Sequence, residues 1–282
     1  MKKVFACLLA MALLVSLVAC AKEKSPEAQP SSEPSSTSDS KETTKPTEDT
    51  TKPTETETTE PTTTGPEETY PDQLAVIAAN RAMWLTNEEL FSPQCLYTVA
   101  DFDHNGRLEV WFGANVGTGL YTYMYAWELS EDLTELVALE RNFDEYFSQA
   151  DMMVEKADVY YDEAANTYYY IFSDSNRSGW AWSGTDIRAL TVKDGVLSEK
   201  TLASVSYDTD ENYVTTTTYF DASGNEISEA DFDKAAETYF ADLQAMQASF
   251  LWQTIEEDEI ASISDEALLE KLQEALNAFS VS

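Results

Sequence analysis

Hydropathy divides the chain into three unequal stretches. Residues 4–19 are apolar apart from Ser16, preceded by Lys2 and Lys3 and followed closely by Lys22, Glu23 and Lys24. Residues 21–69 contain no aromatic and no large aliphatic side chain. From residue 70 onward apolar and polar positions alternate with recognisable periods. A basic start followed by a short apolar core is the pattern of a secretory signal. The run ends at Cys20, short of the roughly 20 apolar residues that a spanning helix needs.

In the third stretch Leu74, Ile77, Arg81 and Trp84 recur at helical spacing, which predicts a helix over 72–90. Strands follow at 96–100 and 108–113 around a polar loop, and at 120–129, where tyrosines alternate with smaller residues. Runs at 159–161 and 168–172 flank the loop Asp162-Glu163-Ala164-Ala165-Asn166-Thr167, a hairpin by its composition. Runs at 187–192 and 196–205 flank Lys193-Asp194-Gly195, and Asp-Gly is a strong hairpin signal. The β-branched and aromatic segment 213–220 precedes a turn at Ser223-Gly224-Asn225. Ser228 with Asp231 matches a capping box and opens a predicted helix carrying Phe232, Ala235, Tyr239, Leu243 and Met246 on one face. Ser264 caps a last helix with Leu268, Leu269, Leu272, Leu276 and Phe279. The predicted class is α+β: an antiparallel meander between an N-terminal helix and C-terminal helices.

Composition separates the tether from the domain. Thr, Ser, Glu, Pro and Lys dominate 21–69 and cannot bury enough apolar surface to offset ordering entropy, so a disordered linker is expected. Thr43-Thr44-Lys45-Pro46-Thr47-Glu48 recurs as Thr50-Thr51-Lys52-Pro53-Thr54-Glu55, with nothing in either copy to pack. Extended, such a linker reaches roughly 150 Å. Residues 70–282 hold 10 basic and 40 acidic side chains of the chain's 17 and 52. So acidic a domain repels nucleic acid and anionic headgroups. It attracts cations, although a solvated surface explains much of the excess.

Leu17-Val18-Ala19-Cys20 resembles the lipobox of bacterial prolipoproteins, matching it at all four positions at the end of the apolar core. The resemblance implies removal of residues 1–19, a lipidated Cys20, and a linker over 20–69 that carries the domain 70–282 off the outer face of the cytoplasmic membrane into the cell wall. Two or more acyl chains give stable anchoring. Of the two other cysteines, Cys7 lies in the signal, and Cys95 sits in an apolar, strand-like stretch and is expected to be a buried small hydrophobe.

The loop Asp101-Phe102-Asp103-His104-Asn105-Gly106-Arg107-Leu108-Glu109 places oxygen side chains at alternate positions around a glycine. Calcium takes about six to eight hard oxygen ligands. An EF-hand requires a glutamate at the twelfth position, which here is Phe112. With its final acid at the ninth position, the loop resembles the Asp-x-Asp-x-Asp-Gly-x-x-Asp loops of FG-GAP and VCBS-type surface proteins. That resemblance implies side-chain ligands from Asp101, Asp103, Asn105 and Glu109 and a carbonyl ligand from Arg107. It spans about fifteen residues and occurs once, so no propeller is implied. A metal-free turn held by Asx hydrogen bonds is the alternative. Asp208-Thr209-Asp210-Glu211-Asn212 fits no metal spacing and is expected to be a solvated hairpin tip.

His104 is the only histidine, so neither a Ser-His-Asp nor a Cys-His arrangement can be built away from this loop. No catalytic residue is assigned. Trp180 and Trp182, bracketed by Gly179 and Gly184, are expected on one strand face, either packed in the core or offered to a glycan or protein ligand. The expectation is a non-enzymatic, calcium-stabilised surface binding module. Its alternatives are an acid-catalysed glycan hydrolase of the envelope, which needs two carboxylates about 5–10 Å apart, and a purely structural domain.

Overall fold

The computed structural model describes residues 70–86, 92–116, 121–143 and 151–282. The signal 1–19, Cys20 and the linker to residue 69 lie outside the described residues, as do the predicted helix end at 87–90 and Leu120. Among the described residues no helix is long and apolar enough to cross a membrane.

The chain opens with α1 (Tyr70–Ala79) and α2 (Arg81–Trp84). Then come β1 (Gln94–Ala100), β2 (Glu109–Val116), β3 (Tyr121–Leu129), β4 (Leu136–Ala138) and β5 (Glu140–Arg141). A second run holds β6 (Lys156–Asp162), β7 (Thr167–Ser178), β8 (Trp182–Lys193), β9 (Val196–Thr209), β10 (Thr215–Asp221) and β11 (Glu226–Ile227). The chain closes with α3 (Glu229–Phe232), α4 (Ala235–Tyr239), β12 (Gln244–Ser249), β13 (Gln253–Glu256), α5 (Glu257–Ile260), α6 (Asp265–Ala278) and β14 (Ser280–Val281). The molecule is sheet-rich, with antiparallel sheets and C-terminal helices.

Three layers result. The smaller sheet, in the order β13-β1-β2-β3-β4, lies between helices on one face and the larger sheet on the other. Strand alternation accounts for this. On the helix side Cys95, Tyr97, Val99, Val110 and Phe112 pack with Leu74, Ile77 and Trp84 and with Leu268 and Leu272 of α6. On the opposite side Trp111, Met124 and Ala126 meet Tyr170, Phe172, Leu190 and Ala248 of the larger sheet. A strand buried on both faces reads as a continuous apolar run, as β2 does over Val110–Ala114. The Trp84 indole donates to Ile77 O at 3.0 Å, which satisfies its one polar group inside the core.

The larger sheet runs β11-β10-β9-β8-β7-β6-β12-β14, and β5 adds a short parallel pairing to β9. The expected hairpins are present. Asp194 and Gly195 both adopt positive φ, 52° and 76°, as a type I′ turn between β8 and β9 requires. Two helix expectations need correction. The first helix breaks at Asn80 into α1 and α2. The helix expected after Ser228 is capped as expected, with Ser228 Oγ accepting from Asp231 N. It then breaks into two short turns, and Met246 lies in β12, opposite Val159 of β6. Neither α3 nor α4 buries a residue, so little apolar contact holds a longer helix, whereas β6 offers a whole strand edge.

Candidate functional site: a buried carboxylate cluster

The loop between β1 and β2 is held from three sides. Asp101 Oδ2 accepts from Gly106 N at 3.0 Å and from the Tyr70 hydroxyl at 2.9 Å. Gln73 of α1 reads the loop backbone twice, donating Nε2 to Gly106 O and accepting from Leu108 N, both at 2.9 Å. Asp103 accepts from Asn105 N and Nδ2, and Asn105 Oδ1 accepts from Arg107 N at 2.8 Å. His104 and Gly106 take positive φ, 57° and 88°; at Gly106 the missing Cβ makes this cheap. The His104 ring packs against Tyr168 in a tilted arrangement, 4.2 Å between centroids.

Strand register then brings a fourth acid to the loop. Glu109 of β2 stands opposite Glu128 of β3, and both are buried. Like charges directly opposite across a strand pair are destabilising. One carboxylate oxygen from each of Asp103, Glu109 and Glu128 lies within 4.8 Å of the other two. Glu109 Oε2 accepts from Phe102 N at 2.8 Å, while Glu109 Oε1 and Asp101 Oδ1 are buried with no partner. Among the described residues the cation paired with the cluster is Arg107, whose Nε and Nη2 both donate to Glu128 Oε1, at 3.1 and 2.6 Å. Four carboxylates therefore face a single guanidinium.

The electrostatics follow. Burial, and then the neighbouring charge of Asp103, holds Glu109 well above the usual carboxylate range. Burial first, then Glu128 and Asp101, pushes Asp103 up to about 6. Burial also raises Asp101 and lowers His104. Burial is the largest single influence on Arg107 and opposes its charge, but the hydrogen bond to Glu128 and the charges of Glu128, Asp103 and Glu109 together hold the guanidinium above its ordinary value.

Of the five ligands implied by the sequence, Asp103 and Glu109 converge. Asp101 is adjacent, with one oxygen committed to Gly106 and Tyr70. Asn105 spends its side-chain oxygen on its own loop. Arg107 enters the cluster through its guanidinium. Glu128 was missed, although a signal existed: alternation along β3 puts it on the same face as Met124 and Ala126, an acid at an inward position.

The tryptophans depart from expectation. Trp180 lies in the turn between β7 and β8 and only Trp182 is on a strand, so they do not share a strand face. Neither is core: Trp180 is 57 % exposed and Trp182 37 % exposed, and Trp180 packs against the 81 % exposed Tyr213. The acids around Arg188 are already paired with it. Asp174 and Asp186 both contact Arg188 Nη2, at 2.8 and 2.9 Å, and Glu199 contacts Nη1 at 3.1 Å. Asp174 is wholly buried, so this pair is not two free carboxylates flanking a bond. Asp210 anchors the β9–β10 tip by accepting from Asn212 N and Val214 N. Cys95 is buried, and burial raises its thiol to about 11.

Comparison of the chain with protein-family models, with curated proteins and with solved structures returns no match.

Proposed function

We propose that this chain is a membrane-anchored surface lipoprotein whose folded unit is a non-enzymatic binding module stabilised by calcium. The anchor rests on the lipobox ending at Cys20. The calcium reading rests on one observation above all. Glu109 is wholly buried opposite Glu128, with one oxygen unpartnered, and Arg107 balances only one of four carboxylates. Buried charge is tolerated when paired or when coordinating a metal. Oxygens on one calcium, each at about 2.3–2.6 Å, stand at most about 5 Å apart, so a 4.8 Å cluster fits around it. Asp103, Glu109 and Glu128 supply carboxylate ligands, Asp101 Oδ1 is the next available oxygen, and Arg107 withdraws from Glu128 as the ion enters. The non-enzymatic reading is supported by the ion pairing of Asp174 and Asp186 and by the enclosure of His104 against Tyr168.

Thermal unfolding of the full-length chain in EDTA and in millimolar calcium tests the reading, with Glu128→Gln alongside. A ligand that binds only the native state raises its stability by about 2.7 kcal/mol at a hundredfold excess over Kd. The wild type is expected to melt higher in calcium, with the shift reduced or lost in Glu128→Gln. Identical wild-type melting in EDTA and calcium refutes it.

A further inference from the structure

The larger sheet outruns the smaller one. β8 and β9 are 12 and 14 residues long, whereas the strands of the smaller sheet have at most 9. Along β8 the face that carries Leu190 into the inter-sheet core continues through Arg188, Asp186 and Gly184 to Trp182, and there the core ends. A cleft of about 560 Å³ opens at this overhang. That volume lies within the range of small-molecule sites, roughly 300–1,000 Å³.

Its floor is built around one indole. A side chain at Gly184 would put its Cβ 3.0 Å from Cζ2 and 3.2 Å from Cη2 of Trp182, so the glycine lets the ring lie against the strand. Trp182 Nε1 donates to Ser206 Oγ at 2.9 Å, and Ser206 Oγ donates onward to Asp208 at 2.7 Å, which fixes the ring's orientation. Around the indole the cleft presents Asn176, Asp186, Arg188 and Ser204, and Arg177, whose Nε donates to Gly179 O at 2.8 Å. The charges at its floor are turned onto each other, with Arg188 bonded to Asp174, Asp186 and Glu199. A register shift opposite Arg188 leaves Leu202 as an extra residue in β9, and bulges are frequent next to functional sites.

We infer that this cleft binds a neutral glycan, with a sugar ring stacked on Trp182 and its hydroxyls read by the polar side chains around it. A pyranose offers an apolar C–H face and a rim of hydroxyls, which matches a fixed aromatic face bordered by amide, hydroxyl and charge-assisted groups. An anionic polymer is disfavoured by 40 acidic residues against 10 basic ones in residues 70–282. A cationic ligand would find the floor acids already committed to Arg188. The inference deepens the binding-module reading, but it shares no residue with the calcium cluster, so each can fail alone.

The test is affinity electrophoresis of the full-length chain through native gels containing a neutral β-glucan, galactomannan or xylan, run in calcium and again in EDTA well below the unfolding temperature. At least one polysaccharide is expected to retard the wild type. Trp182→Ala should weaken that binding about tenfold or more. Gly184→Ala, which keeps the tryptophan but crowds both its ring and Val205 O, should weaken it as well, while Trp180→Ala should leave it intact. Unchanged melting of each variant separates loss of the site from loss of the fold. Retardation by none of the three polysaccharides, or retardation that survives Trp182→Ala, overturns the inference. So does release of reducing ends from the retarding glycan, which would make the cleft a hydrolase site. Retained glycan binding without a calcium-dependent melting shift sinks the calcium reading alone.

Discussion

Replacing Glu109 by Gln isolates the carboxylate cluster, because the substitution changes charge and almost nothing else. The amide keeps an oxygen for Phe102 N, now at 2.8 Å from Glu109 Oε2, and puts an N–H donor where Oε1 has no partner. In the metal-free fold the Glu109 carboxyl is held well above its ordinary value of 4.5 by burial and by Asp103. A raised carboxyl means that the folded chain retains a proton which the unfolded chain releases. The associated stability is complete below pH 4.5 and is lost as pH rises, at about 1.4 kcal/mol per unit until the folded group ionises. At about pH 6.5 the cost is therefore at most about 2.7 kcal/mol. Glutamine never incurs it.

In EDTA near pH 6.5, Glu109→Gln should thus melt above the wild type. About 2–4 °C per kcal/mol is typical of a domain of this size, so the rise is at most roughly 5–10 °C. Near pH 4.5 the two curves should converge. In millimolar calcium the wild type gains and the variant gains less, so the gap at pH 6.5 should close or reverse. Circular dichroism melts at the two pH values, with EDTA or calcium, read all of this. A variant that melts below the wild type in EDTA at pH 6.5 would refute the reasoning, because it would mean that the fold stabilises an ionised Glu109 without help from a metal.

Two further outcomes are expected. Arg188→Met leaves the wholly buried Asp174 without its 2.8 Å partner and should cost about 3–5 kcal/mol in urea unfolding, part of it recovered by adding Asp174→Asn; an unchanged midpoint would show that the ion pairs are idle. Cys95, buried and with its thiol raised to about 11, should resist a thiol reagent at neutral pH in the folded chain and react fully in denaturant, and rapid native labelling would contradict its burial.

How far the sequence foretold this structure depended on whether the deciding interaction was local. Hairpins were legible because both of their signals are local: alternation along the strands, and a turn dipeptide such as Asp194-Gly195 that tolerates positive φ. The segment 244–249 was not. Gln244, Ala245, Met246, Gln247 and Ala248 suit a helix as well as a strand, and what decides is the free edge of β6, more than eighty residues earlier, where Met246 meets Val159. The tryptophans failed for a similar reason, since exposure at 180 and 182 comes from β7, β8 and β9 outrunning the smaller sheet, a fact about lengths in two sheets at once. Glu128 is the instructive case. Its inward position followed from the alternation of β3, but its meaning required the β2–β3 register, which sets it opposite Glu109. A one-residue slip would turn Glu128 to the helix-facing side and leave Glu109 opposite Trp127 or Leu129. The loop supplies Asp103 and the hairpin supplies the glutamate pair, so the cluster assembles only when the strand pairing is right. A cation binding there would reward that register over its alternatives as well as balance charge, and its stabilisation should therefore spread across the whole smaller sheet instead of remaining in the loop.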